Sequence, residues 1–363
     1  MSTTRRIFLG TAGCALAACA GMSGAASAAG RGLAINGNLV LPIDPEKPLD
    51  QATRDMVRAS GLTAAKQTIG GSGGETREQT AQSIAVLDKA VALNPDLYLK
   101  VASVADFARA QATQRLGIIY SFEAAEMLEG DLAAIDQFRA AGVLVMGLSY
   151  NRTTPFASGT MSSPSTGLTE LGRRAVERMN ALGVTVDVSH SDELSSLAAV
   201  AASKKPVLIT HAGAAAVHVH PRNKSDRLMR ALAQRGGVMG IYELSYLRDP
   251  TAQPSLDVYF AHLGHALKVC GEDHVGIGSD ATLWPFDTSP ESMAEWNESL
   301  ARRKADGVAA PGEGPPPFVV GLNRADRFSV IADELRRRGY GARVVDKVLG
   351  GNFQRVFAQT WKA

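Results

Sequence analysis

Histidine is missing from the first half of this 363-residue chain: all seven imidazoles lie at or after His190, so any site built on them draws on the second half. Cysteine is almost as scarce. Of the three, Cys14 and Cys19 fall in an N-terminal leader and Cys270 stands alone beyond it, which excludes an intrachain disulfide in the folded part. Cys270 follows Leu267 and Val269 in a helical pattern and reads as a buried small hydrophobe. Net charge is missing too, because Arg5 and Arg6 account for the whole formal excess of +2. A neutral mature chain carries no electrostatic footprint for nucleic acid or an anionic membrane. After the leader there is no internal repeat and no apolar run of 18 or more residues, so no later segment is expected to span a bilayer. What remains, 45% hydrophobic and 20% charged residues, is the composition of a globular protein with a sizeable core.

Residues 1–28 have the pattern of an export signal. Thr4-Arg5-Arg6-Ile7-Phe8-Leu9 resembles a twin-arginine motif, followed by an Ala/Gly-rich apolar run. Ala26-Ser27-Ala28 suits an ordinary signal peptidase, whereas Leu16-Ala17-Ala18-Cys19 has the form of a lipobox that would leave Cys19 lipidated. The expectation is a periplasmic protein, either released or tethered through Cys19.

Residues 29–363 are expected to form one domain. Eight β-rich apolar runs, near 33–41, 62–68, 116–122, 143–149, 184–189, 206–210, 237–242 and 274–279, alternate with segments of helical spacing. Ser225 or Asn223 is placed to cap a helix through Leu228, Met229 and Leu232 that stops at Gly236-Gly237, and Ser255 precedes another that ends by Gly271. Eight such alternations over about 250 residues fit an α/β fold of the (β/α)8, TIM-barrel type, with an open doubly wound sheet as the other arrangement. Residues 311–317, Pro-Gly-Glu-Gly-Pro-Pro-Pro, form a rigid excursion after the eighth run, a connection or a lid at the barrel mouth.

In a barrel the chemistry collects at the C-terminal ends of the strands. Polar residues occur there repeatedly: Glu123 after the third run, Asn151 after the fourth, His190 after the fifth, His211 after the sixth and Asp280 after the eighth. Two imidazoles and a carboxylate suit Zn²⁺ and leave a position open for water. Metal-activated water would attack a carbonyl while Asp280 moves the proton to the leaving group. Arg222, in His220-Pro221-Arg222-Asn223, presents a planar fork for a carboxylate or an oxyanion, or else forms a surface salt bridge. The other histidines carry less: His218 and His220 read as loop, His262 and His265 as a solvated helix face, and His274 falls at the wrong end of its strand.

With these residues in place the chain resembles the membrane, or renal, dipeptidases, zinc enzymes of the amidohydrolase-like barrel group. The likeness rests on Asp187-Val188-Ser189-His190, Ile209-Thr210-His211, His220-Pro221-Arg222-Asn223, Gly276-Ile277-Gly278-Ser279-Asp280 and Gly350-Gly351-Asn352-Phe353 with Arg355-Val356. It implies a hydrolase of dipeptides or related small amides, with Glu123 as a metal-bridging carboxylate, His190 and His211 as ligands of the second metal, and Asp280 as the catalytic acid/base. Arg222, Tyr150 and Asn151 would meet the substrate, and a homodimer is implied as well.

The chain also departs from that pattern. The first strand of the family normally ends in a His-x-Asp pair holding the other zinc, where this chain reads Ile35-Asn36-Gly37-Asn38-Leu39-Val40. Asn38 is a poor zinc ligand, because a neutral amide oxygen donates weakly. Tyr150 stands where a substrate-contacting histidine is expected and can still donate a hydrogen bond to an oxyanion. Lys66, a charge inside the apolar second run, either balances the missing metal or is a snorkelling or salt-bridged lysine. Three readings follow: a one-zinc hydrolase on Glu123, His190 and His211; a two-metal enzyme with one weak site; and a periplasmic binding protein that kept the fold without the reaction. Among enzymes, N-acyl amino acids or lactones are the alternative substrates.

Overall fold

The structure is a computed structural model and describes residues 32–362; the leader, with Cys14 and Cys19, lies outside the described residues. Eight parallel strands close on themselves: Ile35–Asn36, Ala64–Gly70, Leu116–Phe122, Val143–Gly147, Thr185–Asp187, Leu208–Ala212, Val238–Ile241 and Val275–Ile277. Closure is made by the short first strand, whose Ile35 pairs with Ala64 on one side while Asn36 pairs with Ile277 on the other. Parallel neighbours joined by helices must be apolar on both faces, and the burial agrees: all seven residues of Leu116–Phe122 and all five of Val143–Gly147 are buried. The (β/α)8 barrel expected from the alternation is the fold, and the open sheet is excluded by closure.

The details differ in two places. The run expected over 33–41 splits at Gly37, where the chain bends. Leu39–Val40 then pairs with Ala281–Thr282 in a separate two-stranded ribbon beside the mouth. A further strand, Tyr98–Lys100, pairs alongside the first half of Leu116–Phe122. Its apolar stretch, Leu97-Tyr98-Leu99, is cut short by Asp96 and Lys100 and does not read as a run. The helices start where the hydroxyl caps predicted: Ser225 accepts from the Leu228 N–H ahead of Asp226–Gln234, and Ser255 from Val258 ahead of Leu256–Cys270. Cys270 is buried, as expected. No helix among the described residues is long and apolar enough to cross a membrane.

The N-terminal end of the barrel is plugged by the chain's last helix, Asn352–Thr360. Phe353 enters the barrel and stacks on Phe357, which stacks on Trp361. A Cβ on Gly276 or Gly37 would lie 2.5 or 2.6 Å from the Phe353 ring, so the absent side chains are what let that ring in. Asn352 fixes the helix by donating to the carbonyls of Glu272 and Val275.

At the other end the ladder between Leu208–Ala212 and Val238–Ile241 slips between Ile209 and Ala212. This irregularity turns the Thr210 carbonyl toward the neighbouring strands and carries His211 to the mouth. The carbonyl is surrounded by glycines, since a Cβ on Gly278 would meet it at 1.8 Å and one on Gly240 at 2.2 Å. Gly278→Ala should therefore force Thr210 and its neighbour His211 to move, costing about 1–3 kcal/mol or more. Thermal unfolding should show a lower midpoint; an unchanged midpoint would contradict the packing.

Candidate active site

Five strand ends and the turns that follow them deliver the polar residues to one mouth. Glu123 follows the third strand and its N–H is held by the Gly70 carbonyl at 3.0 Å. Beside it, His190 and His211 are both buried. Glu123 Oε2 lies 3.9 Å from His190 Nε2, Oε1 lies 3.9 Å from His211 Nε2, and the two Nε2 atoms are 3.0 Å apart. Among the described residues this is the one group of three or more such side chains able to hold a metal ion.

The tautomers follow from what each ring touches behind the site. His190 Nδ1 faces Asn151 Oδ1 at 3.1 Å. That oxygen also accepts from Thr160, while the Asn151 amide N–H donates to the Val308 carbonyl, so the imidazole nitrogen must be the donor. His211 Nδ1 lies 2.9 Å from Thr210 Oγ1, whose own proton goes to Asp187 Oδ2 at 2.6 Å. Each ring thus keeps its Nε2 lone pair for the mouth, the second-sphere arrangement of metal-bound histidine. Burial, and then the positive charge of Arg222, hold both imidazoles well below their ordinary pKa. The two neutral nitrogens stand 3.0 Å apart beside the carboxylate, and this donor set fits a divalent ion of zinc's softness, which would take the place of the Arg222 N–H that meets His190 Nε2 at 3.1 Å.

Asp280 adopts a left-handed backbone, φ 52°, which an aspartate tolerates better than most residues and which turns its side chain inward. Its N–H donates to the Asn38 carbonyl at 2.8 Å, Oδ1 accepts from Asn38 Nδ2 at 2.8 Å, and Oδ2 stands 3.9 Å from His211 Nε2. Burial, and then the neighbouring Glu123 carboxylate, push Asp280 above the usual carboxylate range.

Asn38, read from sequence only as an inadequate ligand, is the hub of the other half of the site. Its Nδ2 donates to Glu123 Oε1 at 2.9 Å as well as to Asp280. Its Oδ1 accepts from the Lys66 ammonium at 2.8 Å and from Thr68 Oγ1 at 3.2 Å. Those neighbours leave the amide only one orientation. Lys66 is fully buried, which excludes snorkelling.

A cavity of about 230 Å³ opens over this cluster. Tyr150, Asn151, His190, Arg222 and Asp280 line its floor; Trp296, Ser299 and Arg303 of the helix Pro290–Ala305, with Glu313, Pro315 and Pro317, form its wall. The proline-rich excursion is thus part of the site. It is pinned by an Arg303–Glu313 ion pair, by Tyr246 Oη on Glu313 at 2.9 Å, and by Trp296 Nε1 on the Gly314 carbonyl at 2.7 Å. Tyr150 stacks on His190 with ring centroids 4.0 Å apart, and burial raises its hydroxyl to about 12. Arg222 is buried rather than in a surface salt bridge. It donates to the Ser189 carbonyl and to His190 Nε2, the latter at 3.1 Å.

The remaining five histidines lie outside this group. His218 lies in a turn, and His220 stacks on Tyr246 and reaches the Pro311 carbonyl at 2.6 Å. The solvated face expected of His262 is wrong. It is fully buried, accepting from the Ala214 N–H and donating to the Leu247 carbonyl, a use of imidazole that helical spacing does not reveal. His265 pairs with Asp226, and His274 meets the Gly237 carbonyl at the strand's N-terminal end.

A closed (β/α)8 barrel gathering a carboxylate and two neutral imidazoles at its C-terminal mouth is the construction of a barrel metallohydrolase. The chain belongs to the membrane dipeptidase family, peptidase family M19, whose model matches residues 47–303. It is 29% identical over 291 residues to an uncharacterised Klebsiella pneumoniae protein in the pqqA 5′ region, a match covering 77% of this chain and 96% of that one. To rat dipeptidase 3 it is 26% identical over 68% of its length, and the match spans 46% of that longer protein. A crystal structure of an amidohydrolase from Pseudomonas aeruginosa superposes with a TM-score of 0.78 at 27% identity, over 92% of this chain and 97% of that one. The fold is shared too by a Rhodobacter sphaeroides metallo peptidase liganded with a phosphinate mimic of the dipeptide L-Ala-D-Ala, with a TM-score of 0.72 at 20% identity over 91% and 99% of the two chains.

Lys224 gives the site a pH signature in stability. It is buried with its ammonium on the Ser191 carbonyl at 2.9 Å, and burial, reinforced by Arg222, lowers it to about 7. Between that value and about 10.4 in the unfolded chain, the unfolded state binds more protons, so stability rises with pH through this window. Urea unfolding of the natural protein should gain on the order of 2 kcal/mol more than Lys224→Met between pH 7 and 9. Parallel pH profiles would contradict the assignment.

Proposed function

We propose that this chain is an exported zinc-dependent hydrolase that cleaves the amide bond of dipeptides or related small amides. The observation that carries the reading is the convergence of two imidazole lone pairs and the Glu123 carboxylate beneath a cavity of small-ligand size. The family supplies the reaction class.

Glu123, His190 and His211 would hold the ion, with Asn151 and Thr210 fixing the two rings from behind. A divalent cation in that set supplies Lewis acidity toward a carbonyl and lowers the pKa of water. Asp280 is placed to take the proton from the attacking water through Oδ2 and return it to the departing amine, while Asn38 restrains Oδ1. Its raised pKa suits a group that both accepts and gives a proton. Tyr150, protonated at neutral pH and already accepting from Arg303 at 3.4 Å, keeps its O–H for an oxyanion. Arg222 lines the same cavity, and its guanidinium faces a substrate carboxylate or oxyanion once His190 Nε2 is given to the ion.

Export is supported by Arg5-Arg6 and the apolar run behind them. Mass spectrometry of the secreted chain should place its first residue after Ala28 or at a lipidated Cys19, and an uncut chain in the cytoplasm would contradict export.

Hydrolysis of a panel of dipeptides and N-acyl amino acids tests the reaction. Turnover should disappear with chelation and return with zinc, and Asp280→Asn should lower kcat about 10²–10⁴-fold at unchanged zinc content. Zinc binding without turnover on any of these amides would instead support a binding protein.

A further inference from the structure

The half of the site around Asn38 has the wrong chemistry for a second metal ion. Among the described residues the Asn38 amide is bonded to Glu123, Asp280, Lys66 and Thr68 rather than to a histidine. What faces Glu123 Oε1 and Asp280 Oδ1 is an N–H donor, at 2.9 and 2.8 Å. The amide is held in that sense by an ammonium group on its oxygen, and Thr68 adds a hydroxyl 3.2 Å from both Asn38 Oδ1 and Glu123 Oε1. A cation entering here would meet two N–H bonds and a fixed positive charge.

Resting on the hydrolase reading above, we propose that Lys66, acting through Asn38, is a built-in cation that replaces a second metal ion, so that the site takes one divalent ion per chain. An unpaired buried ammonium is costly, and among the described residues no carboxylate is bonded to Lys66 directly. Its compensation is the carboxylate pair one amide away. The Asn38 side chain transmits the charge: the ammonium polarises the carbonyl, the N–H bonds strengthen, and both carboxylates are held against their mutual repulsion. Lys66 is a positioning residue in this scheme. Glu123 and Asp280 are kept apart and aimed, one toward the imidazoles and the other toward the reacting water.

The test is zinc titration of chelator-stripped protein in competition with a chromophoric chelator, which reads stoichiometry and affinity without turnover. The natural chain should saturate at one equivalent; two equivalents, or none, would overturn the proposal whatever the substrate. Lys66→Met keeps the apolar stem and removes the charge. It should bind zinc at least about tenfold more tightly, because one repelling charge is gone. The same variant should lower kcat with little change in KM, because Asn38, without the ammonium on its oxygen, holds Asp280 less firmly. A lysine that only fills space would leave affinity, stoichiometry and kcat unaltered, and that result would also overturn the proposal. Should the variant fail to fold, the stoichiometry of the natural protein decides alone. Loss of amide hydrolysis with one zinc bound would instead count against the reaction assigned above and leave the charge replacement standing.

Discussion

Glu123 and Asp280 are brought to one barrel mouth by strands far apart in the chain, and two carboxylates in a partly dry site repel each other unless something positive or hydrogen-bonding stands between them. Asn38 stands there. One amide nitrogen serves both acids, and one amide oxygen takes the Lys66 ammonium. On the far side the acids face neutral imidazoles whose lone pairs are turned inward by Asn151, Thr210 and Asp187. Half of the site is therefore shaped to receive a cation and the other half already contains one. This division explains how a chain without an early histidine keeps Glu123, His190, His211 and Asp280 in working positions.

That arrangement depends on the barrel being tightly closed. Its glycines matter by being small. Gly240 and Gly278 leave room for the Thr210 carbonyl, whose irregular ladder delivers His211 upward, and Gly37 and Gly276 leave room for Phe353 from below. The motif Gly276-Ile277-Gly278-Ser279-Asp280 thus joins floor to mouth in five residues. The terminal Gly350-Gly351-Asn352-Phe353 serves the same end from outside the strands, with Asn352 tying the last helix to the start of the eighth strand.

Much of this was legible in the amino-acid sequence, for an identifiable reason. Buried parallel strands read as apolar runs, and the residue immediately after each run faces the mouth. Glu123, His190, His211 and Asp280 could therefore be named from position alone. The strand Tyr98–Lys100 escaped because its apolar stretch, Leu97-Tyr98-Leu99, is bounded by Asp96 and Lys100 and is shorter than the other runs. His262 was misplaced because its burial comes from the Ala214 and Leu247 backbone, contacts made across the fold. Asn151 was expected at the substrate. It does line the cavity, but its amide is committed to His190, Thr160 and Val308. Asn38 was weighed only as a ligand, whereas its role is to donate. That sense became visible only when the structure placed Lys66 on its oxygen. Arg303 and Glu313 carried no signal, since their part in the cavity wall depends on how the proline-rich excursion folds back.

The membrane dipeptidase fold is accordingly kept with the candidate metal ligands gathered on one side of the mouth and Lys66 and Asn38 on the other. The most direct test is anomalous X-ray diffraction at the zinc edge from crystals of the zinc-loaded protein. The account predicts one ion per chain, about 2.1 Å from a Glu123 oxygen, His190 Nε2 and His211 Nε2. Lys66 would remain on Asn38. An ion seated between Asn38 and Asp280, or a site at Glu123, His190 and His211 that stays empty in zinc, would contradict it.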